Sequence, residues 1–126
     1  MAEERVVKMG YERAGELEQV KLGDCLWDIH AAGMKLLEFT TGRGYEDYSE
    51  SELLQSVVGS MLGIIVSRLE DIRRGFPAEF AKLADGERVI EGVAIASQEK
   101  TWRLVEENLP ELVEEARTLL EQWHEA

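Results

Sequence analysis

Residues 49–77 read SESELLQSVVGSMLGIIVSRLEDIRRGFP. Ser49 and Glu52 form the pattern of a capping box just ahead of an apolar run, so a helix is expected to start there. Leu54, Val57, Val58, Met61, Ile65, Leu69 and Ile72 recur at three- and four-residue steps, the spacing of one helical face. Gly75-Phe76-Pro77 ends the pattern after Arg74, because proline cannot continue a helix. The first half of this helix is unusual. Leu53, Leu62, Ile64 and Val66 make it apolar nearly all round, which fits a helix that is central in its fold or shared between two subunits. Gly59 and Gly63 leave room for another helix to come close.

The same periodicity extends outward in both directions. Upstream, Leu22, Leu26, Ile29, Gly33, Leu36 and Thr40 form a stripe that Cys25, Leu37 and Phe39 widen, predicting a helix over about residues 11–41 that Gly42 ends. Residues 1–10 read as an N-terminal extension and residues 42–48, GRGYEDY, as a connecting loop. Downstream, Pro77–Phe80 reads as a short helical turn and residues 86–95 as a short helix. Ser97 can cap the next helix, whose stripe runs Trp102, Val105, Leu109, Leu112, Val113, Ala116, Leu119, Leu120 and Trp123. Pro110 interrupts that stripe, so the helix must kink or restart near Asn108-Leu109. Nothing alternates like a strand. The expected fold is a single all-α domain, an antiparallel bundle of about four or five helices.

Composition narrows the functional classes. The chain has 126 residues, with 26 Asp and Glu against 14 Lys and Arg, a net charge of −12. Nucleic-acid affinity comes largely from neutralising phosphates, so RNA or DNA binding is expected to be weak or absent. Arg68, Arg73, Arg74 and Lys82 read as the only cationic cluster outside the N-terminal region, and their place at a helix end suits dipole complementation and solubility better than a groove. The single cysteine, Cys25, excludes an intramolecular disulfide and fits a reducing, cytoplasmic setting. The apolar run Val57–Val66, broken by Gly59, Ser60 and Gly63, falls short of a membrane span, and MAEERVVKMG lacks the apolar core of a signal peptide.

Three segments, in order, carry a family resemblance. They are DIHAAGMKLLEFTTGRGYEDYSESELLQSVV (Asp28–Val58), MLGIIVSRLEDIRRGFP (Met61–Pro77) and TWRLVEENLPELVEEARTLL (Thr101–Leu120). Each is similar to the HepT-like branch of the HEPN helical domains. The third is the most specific, with Trp102 set ahead of Asn108-Leu109-Pro110-Glu111-Leu112. The resemblance implies a small helical homodimer encoded beside a nucleotidyltransferase of the MNT type. In such pairs the HepT-like member is a metal-independent RNase toxin and its partner an antitoxin that can adenylylate a tyrosine. The family's activity rests on Arg-Asn followed by His-x-Tyr.

Aligned back from Trp102, this chain has GERVIEGV (Gly86–Val93) at that position. Gly86 and Glu87 stand for Arg-Asn, Glu91 for His, and Val93 for Tyr. Metal-independent RNA cleavage needs a group that titrates near neutrality and a fixed cation for the developing phosphorane charge. Glu91 could in principle act as a base but its carboxylate repels phosphate, Gly86 supplies no cation, and Val93 offers no hydroxyl for adenylylation. Arg88 would point to another face of a helix. Even the acid the family often carries late in the second helix is here apolar Ile65–Val66. The chain is therefore expected to be catalytically degenerate, a toxin–antitoxin-type binding subunit with neither cofactor nor metal. Two alternatives stand beside it: an active RNase using Arg88 and Glu91, and a stand-alone helical scaffold.

Other chemistry-bearing residues read as ordinary. Arg117 and His124 match the Arg-to-His spacing but lie beyond the family's position. Glu121-x-x-His124 is half of a helical di-iron motif without its second half. His30 cannot face Asp28 on a helix. Cys25 lies on the core stripe, as a small buried hydrophobe does, and Tyr45 and Tyr48 suit packing better than the alternative of a partner contact.

Overall fold

The structure of the chain, a computed structural model, describes residues 2–95 and 97–125, with side chains described over 21–95 and 97–122. No strand occurs among the described residues, and the fold is an all-α bundle. Its elements are α1 (Ala2–Thr40), α2 (Tyr45–Glu50), α3 (Glu52–Gly75), α4 (Pro77–Phe80), α5 (Gly86–Ala94), α6 (Gln98–Arg103), a π-helical turn (Leu104–Asn108) and α7 (Leu109–Glu125).

α1 is the spine, packed on α3 along one side and on α7 along the other. α1 and α3 run antiparallel, and Arg68 Nε of α3 donates to Asp28 Oδ2 of α1 at 2.8 Å. Leu22, Leu26, Ile29 and Leu36 of α1 meet Val58, Ile65, Leu69 and Ile72 of α3 and Leu109, Leu112 and Ala116 of α7 in one core, each essentially inaccessible to water. Gly33 allows the α1–α7 approach, since a Cβ there would overlap Val113 Cγ2.

Four sequence expectations need correction. The first helix begins at Ala2, not near Tyr11, so residues 2–10 belong to it. Ala, Glu, Arg, Lys and Met dominate residues 2–9, and the cost of about 1 kcal/mol for each of Gly10, Gly15 and Gly23 is spread along a long helix. The presumed loop 42–48 is helical from Tyr45, because Tyr48 is pulled inward to stack on Trp102 with ring centroids 5.2 Å apart. That displaces the helix cap. Ser51, not Ser49, caps α3 by accepting from Leu54 N at 3.1 Å, while Ser49 Oγ donates to the Glu46 carbonyl inside α2. Lastly, the buried stripe of α3 is rotated toward Leu62, leaving Val57 and Met61 only half-buried.

The interruption at Pro110 is resolved by the π turn. Leu109 N–H bonds back to the Leu104 carbonyl, five residues away, and this widened turn lies just ahead of the proline. A regular turn there would meet the proline ring and lack its N–H. Ser97 caps α6 as expected, its Oγ accepting from Lys100 N at 3.4 Å.

By length and composition α3 is apolar enough to cross a bilayer, with a mean hydropathy of 1.3 over its best window. Its Leu54–Leu62–Leu69 face is instead buried on the rest of the bundle.

Candidate functional site

α5 carries the stretch Gly86–Val93, and its start is held from α7. Glu115 reaches across to accept from the backbone N–H of Ala84 at 2.6 Å and of Asp85 at 3.2 Å. The Asp85 side chain is buried and accepts from Asn108 Nδ2 at 2.9 Å. Arg88 Nη1 lies 3.6 Å from the same carboxylate. Burial pushes the Glu115 carboxyl above its ordinary range, and a hydrogen bond with Asp85 raises that of Glu111. Three carboxylates from two segments thus meet where α5 docks on α7.

The aligned positions do not converge on one point. Gly86 is buried, and a Cβ there would lie 3.1 Å from Phe80 Cε2 and 3.3 Å from Leu69 Cδ2. A cation at this position would have to displace core side chains. Glu87 is exposed and lies 3.3 Å from Arg73 Nη1. Val93 packs against the core, which is the environment of a hydrophobe and not of a phenol held for modification. Glu91 and Arg88 are both exposed, and they share a cleft of about 300 Å³ between α5 and the α6–π segment. Lys100 and Arg103 of α6 line its other side, with Asn108 and Leu104 below.

Lys100, Arg103, Asn108 and Asp85 were not singled out as site residues from the sequence. One signal was available: Lys100 and Arg103 are cations one turn apart in an otherwise acidic chain. The role of Asp85 was invisible, because its partners lie in other elements.

The remaining candidates take ordinary places. Arg68 pairs with Asp28 at 2.8 Å and Asp71 at 3.6 Å, Arg74 with Asp71 at 2.7 Å, and Arg73 with Glu87, so the cationic cluster is largely neutralised within the protein. Cys25 is buried, and burial pushes its thiol up, away from reactivity. Arg117 is bound by Glu114 and Glu121 on its own helix. The side chain of His124 lies outside the described residues, as does that of Trp123. His30 stands 6.0 Å from Trp27, centroid to centroid, on α1. Tyr48 is a packing residue, whereas Tyr45 is more than one-third exposed. Among the described residues no group of His, Cys, Asp and Glu is arranged to hold a metal ion.

Comparison with protein-family models, with curated proteins and with solved structures gives no match to this chain.

Proposed function

We propose that the chain is a non-cleaving, HepT-like binding subunit of a toxin–antitoxin-type module, working in the cytoplasm as a homodimer alongside a nucleotidyltransferase of the MNT type. One observation carries the binding reading. From Leu53 to Ser67 the sequence has no charged residue, and this part of α3 leaves Leu53, Ser56, Ser60 and Ile64 exposed. In a chain of net charge −12, that is a face on which a second copy can be buried without stranding a charge. Leu53 is 76% exposed and Ile64 44%, a poor arrangement for an isolated subunit in water. At 1.5 Å per residue the uncharged run is roughly 22 Å long, enough for the centre of an ordinary interface.

The absence of cleavage is supported by the environments of the aligned positions: core packing around Gly86 and Val93, and carboxylates at Glu87 and Glu91. A general acid–base group and a charge-stabilising donor each contribute on the order of 10²-fold or more, so without both the chain should leave RNA intact. The purified protein is expected not to cut RNA, and co-expression with the product of an adjacent nucleotidyltransferase frame should yield a stable complex. Lack of any such neighbouring frame would move the reading to a stand-alone scaffold.

An active RNase is the second reading, favoured by the fact that Arg88 and Glu91 line one cleft. It requires cleavage that Arg88→Ala or Glu91→Ala abolishes.

A further inference from the structure

Asp85 is one of two polar side chains buried among the described residues, the other being Thr40. A buried carboxylate is costly unless it is held: Glu111 shares a hydrogen bond with it, and Asn108 and Arg88 hold it as well. Both line the cleft between α5 and α6. The buried acid therefore sets a guanidinium in place on the α5 side of that cleft and an amide on the π segment. On the other side, Lys100 and Arg103 form no ion pair among the described residues. Lys100 and Arg103 thus face Arg88, which Asp85 holds, across a hollow in an otherwise acidic chain.

The charge of the lining defines the ligand class. Arg88, Lys100 and Arg103 stand against Glu91 on the lining and Asp85 behind Arg88, an excess of one positive charge. A phosphate monoester is a dianion above its second pKa of about 6, and guanidinium groups bind its oxygens through paired donors. Apart from the Asn108 amide, the rest of the lining is apolar. Ile95 is 48% exposed at the mouth, and Leu104 forms a wall that Gly92 leaves open, since a Cβ there would come within 2.6 Å of Leu104 Cδ1. A volume of about 300 Å³ accommodates a small molecule but not a folded chain.

We propose that this cleft binds a small organic phosphate monoester, its phosphoryl group held by Arg88, Lys100 and Arg103 and its organic part lying on Ile95 and Leu104. The site is contained within one subunit, so it stands whether or not the chain dimerises or meets a nucleotidyltransferase.

Phenyl phosphate, inorganic phosphate and phenol serve as probes, titrated into the ¹⁵N-labelled full chain at low salt and followed by amide shifts. Phenyl phosphate is expected to give saturable shifts confined to residues 85–108. Inorganic phosphate should act on the same amides several-fold more weakly, and phenol should not act. Combining Lys100→Gln with Arg103→Gln should weaken phenyl phosphate at least about tenfold while the circular dichroism spectrum is unchanged. Arg88→Gln provides a separate variant on the opposite wall with the same expected loss. Lowering the pH from 7.5 to 5, where the probe becomes a monoanion, should also weaken binding. The proposal is overturned if millimolar phenyl phosphate gives no saturable shift, if the Gln variants bind as the parent does, or if inorganic phosphate binds equally well. A short RNA that binds through the same residues more tightly than phenyl phosphate would likewise remove the assignment to a small ester.

Discussion

At the scale of single residues, two glycines show how packing decides what the same residue type does. Gly33 sits where α1 crosses α7, and a methyl group there overlaps Val113 Cγ2, a branched side chain with little rotameric freedom. Gly33→Ala should therefore destabilise the fold by about 1–3 kcal/mol, although alanine is the better helix former. At Gly63, by contrast, nothing lies within 4 Å of an added Cβ, so Gly63→Ala should stabilise the isolated subunit by about 0.5–1 kcal/mol. Urea unfolding of the two variants checks both; equal effects would show that propensity and not contact governs these positions. The sequence made Gly33 recognisable as part of a buried stripe. It did not show which neighbour filled the space. Gly86 is the sharper instance: it was read as a missing catalytic cation, and the fold uses it as a close contact with Phe80 and Leu69.

Among the elements, α2 explains why α3 starts later than the sequence pattern indicates. The capping motif at Ser49 and Glu52 is real as a local pattern, but Ser51 offers the same oxygen two residues later. Tyr48 buried on Trp102 selects the later start, and Gln55 Nε2 confirms it by donating to the carbonyls of Tyr48 and Ser49 at 3.0 and 3.1 Å. Ser51→Ala should cost about 1 kcal/mol, and Ser49→Ala a few tenths; a reversed order in thermal unfolding would restore the earlier boundary. The junction of α5 with α7 yields a pH dependence. Glu115 and Glu111 have carboxyls raised above 4.5 in the folded chain. A raised carboxyl binds protons more tightly when folded, so its stabilising contribution is complete below about 4.5 and is lost as pH rises through the folded value. Glu114, lowered by its hydrogen bond to Arg117, works in the opposite sense, losing its contribution as pH falls through its own lowered value. Replacing Glu115 with Gln should remove the first dependence, so the parent should lose stability relative to Glu115→Gln as pH increases from about 4.5. Parallel stability curves for the two proteins would exclude this.

For the whole molecule, the governing contrast is between a strongly acidic surface and the uncharged face of α3. If that face joins two copies, Ile64→Lys should convert a dimer to a monomer in light scattering at micromolar concentration. Ile64 is exposed, so the subunit should remain folded with its helical spectrum intact. A parent protein that is already monomeric would remove the dimer. It would leave the cleft between α5 and α6 untouched, since no residue of α3 lines it.

The all-α class, the order of the longer helices, the break at Pro110 and the cap at Ser97 were all determined by the sequence alone. Each depends on interactions within a few residues, such as the 3.6-residue period, proline's missing N–H and a serine oxygen three residues from the amide it caps. Tertiary structure alone decided the start of α3, the burial of Gly86, the partners of Asp85 and the gathering of Arg88, Lys100 and Arg103 around one cleft. Those depend on contacts between segments far apart in the chain, such as Asp85 with Asn108 and Ala84 with Glu115. Local pattern carries no record of such contacts, because side chains on different helices meet only after the apolar faces have chosen how to pack.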